Sequence, residues 1–190
     1  PGPGGSTLLR AQSGISLSRL GAIARERSLT GLENLTFIPG SLGGALITNA
    51  EAHKSSIGSL VRSVRVLDGE ELRTLSREDC GFAYRTSVFE QKPELVILEA
   101  ELMLETGDPA AIEEKTREAG LFRSSQPKGP SAGSVFKNPP GNPAGMLIDR
   151  TGLKGRSHGG AVISDLHANF ILNRGNARAE DVLRLIELAR

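Results

Sequence analysis

Two segments of this chain, residues 31–49 and 127–143, are interrupted by glycine and proline at short intervals. Proline lacks a backbone donor, and glycine adopts conformations that other residues avoid, so neither segment can form a long helix or strand. Both are predicted to be loops whose backbone can approach a ligand closely. The regular elements must therefore come from the shorter stretches around them.

Those stretches predict a mixture of short strands and helices. Strands are predicted at residues 8–11, 57–66, 95–104, 161–164 and 169–173, with Asp68-Gly69 as a tight turn into a return strand at 72–75. Helices are predicted after a Ser16 cap, from Asp108-Pro109 to Ala119, at 144–151 before Gly152, and from Ala177 after an Asn176 cap. The pattern favours an α+β fold with domains at 1–108 and 109–190.

The charge balance excludes some classes of partner. Twenty-three basic residues oppose 22 acidic ones and no basic block stands out, so neither nucleic acid nor an anionic membrane is expected. The longest apolar runs, such as residues 95–98, are far shorter than the roughly 20 residues that cross a bilayer. The single cysteine, Cys80, excludes an internal disulfide and favours a reducing compartment, so the cytoplasm is the expected location.

The two chain ends suggest a fragment. The chain begins with Pro1 rather than methionine and stops at Arg190 inside a predicted helix. We therefore expect it to be a fragment of a longer protein or a gene product that has lost its flanks.

The first glycine-rich loop contains Ile38, Pro39, Gly40, Ser41, Leu42, Gly43, Gly44 and Ala45, with Asn49 shortly after. Adjacent N–H groups in such a loop can form a nest for an anion such as a diphosphate. The alternative is a tight turn between two elements, which is the commoner use of an isolated loop of this kind. The segment matches neither a P-loop nor a Rossmann fingerprint.

Two further segments offer charged or acidic groups. Arg85 follows Tyr84, the only tyrosine, and its planar guanidinium suits a carboxylate or an enolate; the alternative is an ordinary surface arginine. Ser134 lies close to Lys137 and Asn138, which suit an anion or a sugar. Because no Gly-x-Ser-x-Gly motif surrounds Ser134, proton donation to a reactive enolate is favoured over acyl transfer.

No metal site is predicted. His53, His158, His167 and Cys80 share no metal-ligand spacing, and Cys80 is best read as a small buried residue. His167, in a polar segment between two predicted strands, is more often a structural histidine than a ligand.

Taken together, these segments resemble the UDP-N-acetylenolpyruvoylglucosamine reductases, the flavoenzymes that make UDP-N-acetylmuramate for bacterial peptidoglycan. The resemblance follows the chain in order through Gly31-Leu32-Glu33, 38–49, 82–87, 131–139, Gly152-Leu153-Lys154-Gly155, Gly159-Gly160-Ala161 and 167–173. The amino-acid sequence of residues 131–136 is similar to that of the shorter, type II branch of the family.

The resemblance implies a partial FAD-binding domain of the vanillyl-alcohol-oxidase (PCMH) type over residues 1–108 and an α+β substrate-binding domain over 109–190. FAD would take hydride from NADPH and pass it to C3 of UDP-N-acetylglucosamine enolpyruvate, in a protein expected to be monomeric. Arg85 would stabilise the enolate and Ser134 would protonate C2. Residues 38–45 and Asn49 would line FAD, and the substrate contacts would be Tyr84, Lys137, Asn138 and His167.

The chain also departs from that pattern. Nothing corresponds to the family's N-terminal subdomain with its diphosphate loop or to its C-terminal glutamate, and Glu51-Ala52-His53-Lys54 replaces the usual Gly-Ala-Tyr/His-Gly. If position 51 needs a positive φ, Glu51 would cost about 1–2 kcal/mol. A non-catalytic flavin- or sugar-nucleotide-binding remnant therefore stays open as an alternative. Another flavoprotein, such as an aryl-alcohol or lactone oxidase, is a third alternative, although it would not explain the Ser134 loop.

Overall fold

The computed structural model describes residues 5–190, so Pro1 at the start of the chain lies outside them. The chain divides into two compact units: the first ends at Arg123 and the second is Ser124–Arg190. This division falls at the end of a helix that spans Pro109–Ser124, whereas the domain boundary predicted at 108/109 precedes that helix.

The first unit is built on an antiparallel sheet. Its strands are β1 (Ser6–Gln12), β2 (Leu29–Thr30), β3 (Glu51–Ala52), β4 (Ser55–Ser56), β5 (Val61–Asp68), β6 (Glu71–Ser76) and β7 (Leu95–Thr106). Its helices are α1 (Leu17–Glu26), α2 (Leu42–Ile47), α3 (Ile57–Leu60), α4 (Val88–Gln91) and α5 (Pro109–Ser124). The strand order is β1-β7-β5-β6, β2 also pairs with β7, and β3 and β4 form a separate hairpin.

Strand β7 organises the core of this unit. Its alternate residues Ala100, Leu102 and Leu104 are buried, as expected for a strand with one face on the core. Helix α1 buries Leu17 and Leu20, and the Ser16 hydroxyl accepts a hydrogen bond from the N–H of Arg19, which confirms the predicted cap.

The predicted hairpin at Asp68-Gly69 is also confirmed. Asp68 and Glu71 face each other across β5 and β6, and Gly69 has φ 60°, in the left-handed region that favours glycine. The predicted strand at 57–66 is wrong in its first four residues, which form α3. These residues lie where the chain packs tightly around Gly58, so tertiary contacts override their strand propensity.

The second unit is a smaller antiparallel sheet with two helices. It contains β8 (Ser131–Ser134), α6 (Ala144–Arg150), β9 (Ser157–His158), β10 (Ala161–Ile163), β11 (Phe170–Asn173) and α7 (Ala179–Ala189). The strand order is β8-β11-β10-β9, and Ile148 of α6 and Leu185 of α7 join the apolar cluster on this sheet.

Two predictions in this unit need correction. Residues 127–143 are not wholly a loop, because β8 pairs with β11 and places Ser134 opposite Phe170. Asn176 does not cap the last helix: it has φ 53°, whereas α7 begins after Arg178, whose N–H donates to the carboxylate of Asp181 at 2.9 Å. Gly152, with φ 71°, ends α6 as predicted.

Candidate functional site

The glycine-rich segment forms the start of α2 and is fastened to the loop between β1 and α1. The N–H of Leu42 donates to the carbonyl of Ile15 at 2.8 Å, and the N–H of Gly43 donates to the carbonyl of Ser13 at 2.8 Å. A Cβ added to Gly43 would lie 3.1 Å from the Cβ of Ser13, so this glycine permits a close approach of the two loops.

The next two N–H groups are also used within the protein. The Ser41 hydroxyl accepts from the N–H of Gly44 at 3.3 Å, and the Ser41 carbonyl accepts from the N–H of Ala45 at 3.0 Å. The predicted anion nest is therefore not formed by the N–H groups of residues 42–45, because two of them bond the loop between β1 and α1 and two bond Ser41 at the helix start. Gly40 has φ 149°, and a Cβ added to it would meet nothing within 4 Å, so it presents open backbone.

The residues of this segment differ in accessibility. Pro39, Gly40 and Gly44 are exposed, Ile38 and Ser41 are half-buried, and Gly43 and Ala45 are buried. A ligand on this segment would therefore meet mainly its exposed proline and glycines.

Asn49 is buried at the end of α2, with φ 43°. Its Oδ1 accepts from the N–H of Gly58 at 2.9 Å, and its Nδ2 donates to the carbonyl of Ala83 at 2.9 Å. Both ends of this amide are thus committed to the backbone of two other segments.

The second of those segments is a closed turn that carries Tyr84 and Arg85. Ala83 and Thr86 exchange backbone hydrogen bonds of 3.2 and 3.3 Å, which close the turn at its base. Arg85 has φ 54°, which is uncommon for a residue with a side chain. Tyr84 is exposed and Arg85 is half-buried.

Ser87 anchors the other side of this turn. It is fully buried, its hydroxyl donates to the carbonyl of Ile47 at 2.7 Å, and it accepts from the N–H of Phe89 at 3.3 Å. The sequence does not indicate the contact with Ile47. A serine before a short helix such as α4 predicts only a cap, whether or not its hydroxyl also bonds a distant carbonyl.

The positive φ considered for Glu51 occurs instead at His53 and Lys54. Glu51 is an ordinary residue of β3, whereas His53 and Lys54, which join β3 to β4, have φ 49° and 63°. Two central residues with positive φ are what a type I′ hairpin turn requires. The ring of His53 packs edge-on against Phe122 of α5, with 4.3 Å between their centroids.

In the second unit, Ser134 is exposed at the end of β8 and follows Gly133, which has φ 79°. Lys137 and Asn138 are also exposed. The Oδ1 of Asn138 accepts from the N–H of Ala144 at 2.9 Å, so this side chain supports the start of α6.

Asn169 holds the chain between Ser134 and Lys137. It is buried, its Oδ1 accepts from the N–H of Phe136 at 2.8 Å, and its Nδ2 donates to the Phe136 carbonyl at 2.9 Å. The Asn169 carbonyl also accepts from the N–H of Val135 at 2.9 Å. Sequence reasoning identifies Asn169 only as part of a matching motif and misses this task.

His167 lies beside this contact. Its Nδ1 accepts from the N–H of Asn169 at 3.2 Å, and its ring centroid is 4.9 Å from that of Phe170. Burial, and to a smaller extent the positive charge of Lys154, lower the pKa of His167, so the imidazole is neutral at neutral pH.

Cys80 has the character of a core residue. It is fully buried, and burial together with the charges of Asp79 and Glu78 raises the pKa of its thiol to about 12. Among residues 5–190, no three His, Cys, Asp or Glu side chains are grouped so that they could hold a metal ion. None of the helices over the same residues is both long and apolar enough to cross a bilayer.

The structure therefore groups the predicted site residues within each unit. In the first unit, Asn49 connects the glycine-rich segment to the turn of Tyr84 and Arg85. In the second unit, Asn169 connects the neighbourhood of His167 to the loop of Ser134 and Lys137.

Two family models match the chain in succession. The model described as an FAD binding domain matches residues 5–74, and the model described as the C-terminal domain of UDP-N-acetylenolpyruvoylglucosamine reductase matches residues 126–190.

Whole-chain relatives point the same way. The UDP-N-acetylenolpyruvoylglucosamine reductase of Caldanaerobacter subterraneus subsp. tengcongensis is 45% identical over 184 residues, covering 95% of this chain and 61% of the relative. The enzyme of the same name from Carboxydothermus hydrogenoformans is 44% identical over 179 residues, covering 93% of this chain and 59% of the relative. The chain thus spans about three-fifths of the length of these relatives.

A solved structure matches the fold as well. The crystal structure of the UDP-N-acetylenolpyruvylglucosamine reductase of Thermus caldophilus superposes with a TM-score of 0.89 at 38% identity, over 95% of this chain and 67% of that one. The predicted α+β fold, an FAD-binding-type domain followed by the reductase C-terminal domain, is confirmed. The chain belongs to the UDP-N-acetylenolpyruvoylglucosamine reductase family.

Proposed function

We propose that the protein is an FAD-dependent reductase that uses NADPH to convert UDP-N-acetylglucosamine enolpyruvate to UDP-N-acetylmuramate, as a monomer in the cytoplasm. The observation that carries this proposal is the 95% coverage of the chain by one solved reductase of the same fold, with Arg85 in a closed turn of this chain and Ser134 at the end of β8. The product belongs to peptidoglycan synthesis.

The exposed backbone at the start of α2 fits a flat cofactor. Gly40 and Gly44 are exposed, and a Cβ would meet nothing within 4 Å at Gly40 and only the Ser41 hydroxyl, at 3.6 Å, at Gly44. These exposed glycines would therefore let FAD approach the backbone closely. When bound, FAD supplies the hydride that NADPH donates and C3 of the enolpyruvyl group receives.

Arg85 is assigned to the substrate carboxylate. Hydride addition at C3 leaves negative charge on C2 and on the adjacent carboxylate, as an enolate. Arg85 is half-buried, and its guanidinium carries a permanent charge and paired N–H donors, so it favours the enolate intermediate, which has one more negative charge than the substrate.

Ser134 is assigned the role of proton donor. Its hydroxyl donates a proton to C2, which completes reduction of the carbon–carbon double bond to the lactyl ether. An alcohol is a weak acid, but an enolate carbon is basic enough to accept its proton. The position after Gly133 at the exposed end of β8 leaves this hydroxyl accessible.

The remaining polar side chains are assigned to substrate binding. Tyr84, which directly precedes Arg85, is exposed. Lys137, three residues after Ser134, is also exposed and offers a positive charge for a phosphate. His167 uses Nδ1 internally, so it contacts substrate as an Nε2–H donor. Asn138 follows Lys137 on the same exposed stretch, where its amide suits a sugar hydroxyl.

The proposal is tested by mixing the full gene product, loaded with FAD, with NADPH and UDP-N-acetylglucosamine enolpyruvate. We expect NADPH oxidation that depends on the sugar nucleotide and forms UDP-N-acetylmuramate in equal amount. FAD binding without sugar-dependent turnover would reject the proposal and favour a non-catalytic flavin-binding remnant.

A further inference from the structure

We propose that Asn49 and Ser87 are positioning residues that fix the Arg85 turn to the end of α2, so that the cofactor segment and the enolate-stabilising arginine form one rigid body. This inference rests on the function proposed above. It assigns to Asn49 an internal task in place of the direct FAD contact that the resemblance implied.

Both the oxygen and the nitrogen of the Asn49 side-chain amide are hydrogen-bonded. Its Oδ1 faces a backbone donor, the N–H of Gly58, and its Nδ2 faces a backbone acceptor, the carbonyl of Ala83. The two partners fix the amide orientation, because a flipped amide would face donor to donor and acceptor to acceptor. A buried amide with both ends satisfied joins three segments that are distant in sequence.

The surroundings are shaped around this amide. A Cβ on Gly58 would lie 2.7 Å from the Asn49 Oδ1 and 2.6 Å from Cγ of Phe82, so only glycine allows the contact. Phe82 directly precedes Ala83 and packs on the core of the first unit. The start of the Arg85 turn is thereby held from two sides.

Ser87 fixes the other end of the turn to the same helix. Its buried hydroxyl donates to the carbonyl of Ile47, the last residue of α2. Asn49 lies two residues beyond Ile47, so both anchors meet α2 at its end. The turn cannot shift along the helix without breaking one of the two hydrogen bonds.

The backbone of Arg85 explains why anchoring is needed. A left-handed conformation costs a residue with a side chain free energy and persists where surrounding structure enforces it. The anchors at Ala83 and Ser87 flank Arg85 on both sides. Without them, the turn can relax and the guanidinium moves relative to the cofactor segment.

The test uses Asn49→Asp and Ser87→Ala, with Val64→Ala as the matched control. Asn49→Asp keeps an acceptor for Gly58 but places a carboxylate oxygen against the Ala83 carbonyl. Val64 is fully buried in β5, so its truncation costs core packing without touching the turn. Each variant of the full gene product is assayed for flavin reduction by NADPH and, separately, for turnover of the enolpyruvyl substrate.

We expect both anchor variants to keep NADPH-driven flavin reduction within about twofold and to lose about 10²-fold in kcat for the enolpyruvyl substrate, because a displacement of about 1 Å costs that much. Val64→Ala should change neither rate. The inference is overturned if the anchor variants turn over normally, if they lose flavin reduction equally, or if the control behaves as they do.

A second measurement separates this inference from the proposed function. Tyr84 is the only tyrosine and the chain has no tryptophan, so the fluorescence anisotropy of the 190-residue chain reports directly on the Arg85 turn. The anisotropy should fall in both anchor variants and not in Val64→Ala. If the unmodified protein shows no turnover, the proposed function fails, whereas unchanged anisotropy in the anchor variants rejects the anchoring itself.

Discussion

The side-chain amide of Asn169 and the backbone of Phe136 form two reciprocal hydrogen bonds of 2.8 and 2.9 Å. The side chain acts as a strand partner for one residue of the loop that follows β8. The position of Ser134, two residues earlier, therefore depends on a residue 33 positions away from Phe136.

Replacing Asn169 by aspartate should destabilise the second unit by about 1–3 kcal/mol, because a buried carboxylate oxygen would face the Phe136 carbonyl without a proton between them. Urea denaturation at neutral pH measures the loss. Asn142→Asp, an exposed amide of the same unit, is the control and should change the free energy of unfolding by less than about 0.5 kcal/mol. Equal losses in the two variants would contradict the prediction.

His167 should make stability depend on pH. Its folded pKa lies below the unfolded value, so the unfolded state binds more protons as the pH falls. Its contribution is fully present above the unfolded pKa of about 6.5 and is lost as the pH falls through that value towards the folded pKa. The free energy of unfolding should decline as the pH falls below about 7.5, and His167→Asn should flatten this decline. An identical pH profile in His167→Asn would exclude the assignment.

Ser134→Ala should separate the two half-reactions. We expect NADPH to reduce the flavin at an unchanged rate, and formation of UDP-N-acetylmuramate to fall by about 10²–10⁴-fold, because only the proton donor is lost. Stopped-flow flavin absorbance and product chromatography measure the two steps. Ser131→Ala, at the other end of β8, is the control and should retain both. Loss of flavin reduction in Ser134→Ala would show that its role is not proton donation.

Arg85→Lys should retain the positive charge but lose the planar pair of donors. We expect kcat for the enolpyruvyl substrate to fall by at least about tenfold, since a bidentate contact to the carboxylate is worth roughly 1.5–3 kcal/mol. Arg73→Lys in β6, where Arg73 pairs with Asp68 at the surface, is the matched control and should be fully active. Equal activity of Arg85→Lys and the native protein would rule out a bidentate role.

Lys54→Gly should stabilise the first unit by about 1 kcal/mol. Lys54 has φ 63° in the β3–β4 turn, a conformation that glycine adopts without the steric cost. The opposite result is expected for Lys115→Gly in α5, where glycine costs about 1 kcal/mol in a helix interior. Thermal unfolding of the two variants provides the comparison, and a lower melting temperature for Lys54→Gly would contradict the strain argument.

The sequence predicted those elements whose signals are local. Ser16 and Asp108 are side-chain caps at the starts of α1 and α5, as the apolar periodic run after Ser16 and the Asp108-Pro109 pair indicated, and Asp68-Gly69 forms its turn. In each case the determining contact lies within a few residues. Such contacts are encoded in short windows of sequence.

The sequence could not predict features that depend on distant partners. Residues 57–60 are helical because of the packing at Gly58, and β8 exists because β11 pairs with it. The same holds for the candidate site. The side chains of Arg85 and Ser134 suggested their chemistry from the sequence alone. The roles of Asn49 and Asn169 depend on hydrogen-bond partners 34 and 33 positions away, which the sequence does not indicate.

The placement of β7 beside β1 has a consequence for biosynthesis. The ion pair between Arg10 and Glu101 spans 91 positions, and β1 pairs with β7 alone over its described residues. On the ribosome, β1 must wait for roughly ninety further residues before its backbone hydrogen bonds to β7 can form, whereas the β5–β6 hairpin can form as soon as it emerges. The nascent chain is therefore most exposed to chaperones and to aggregation in the interval before β7 is translated.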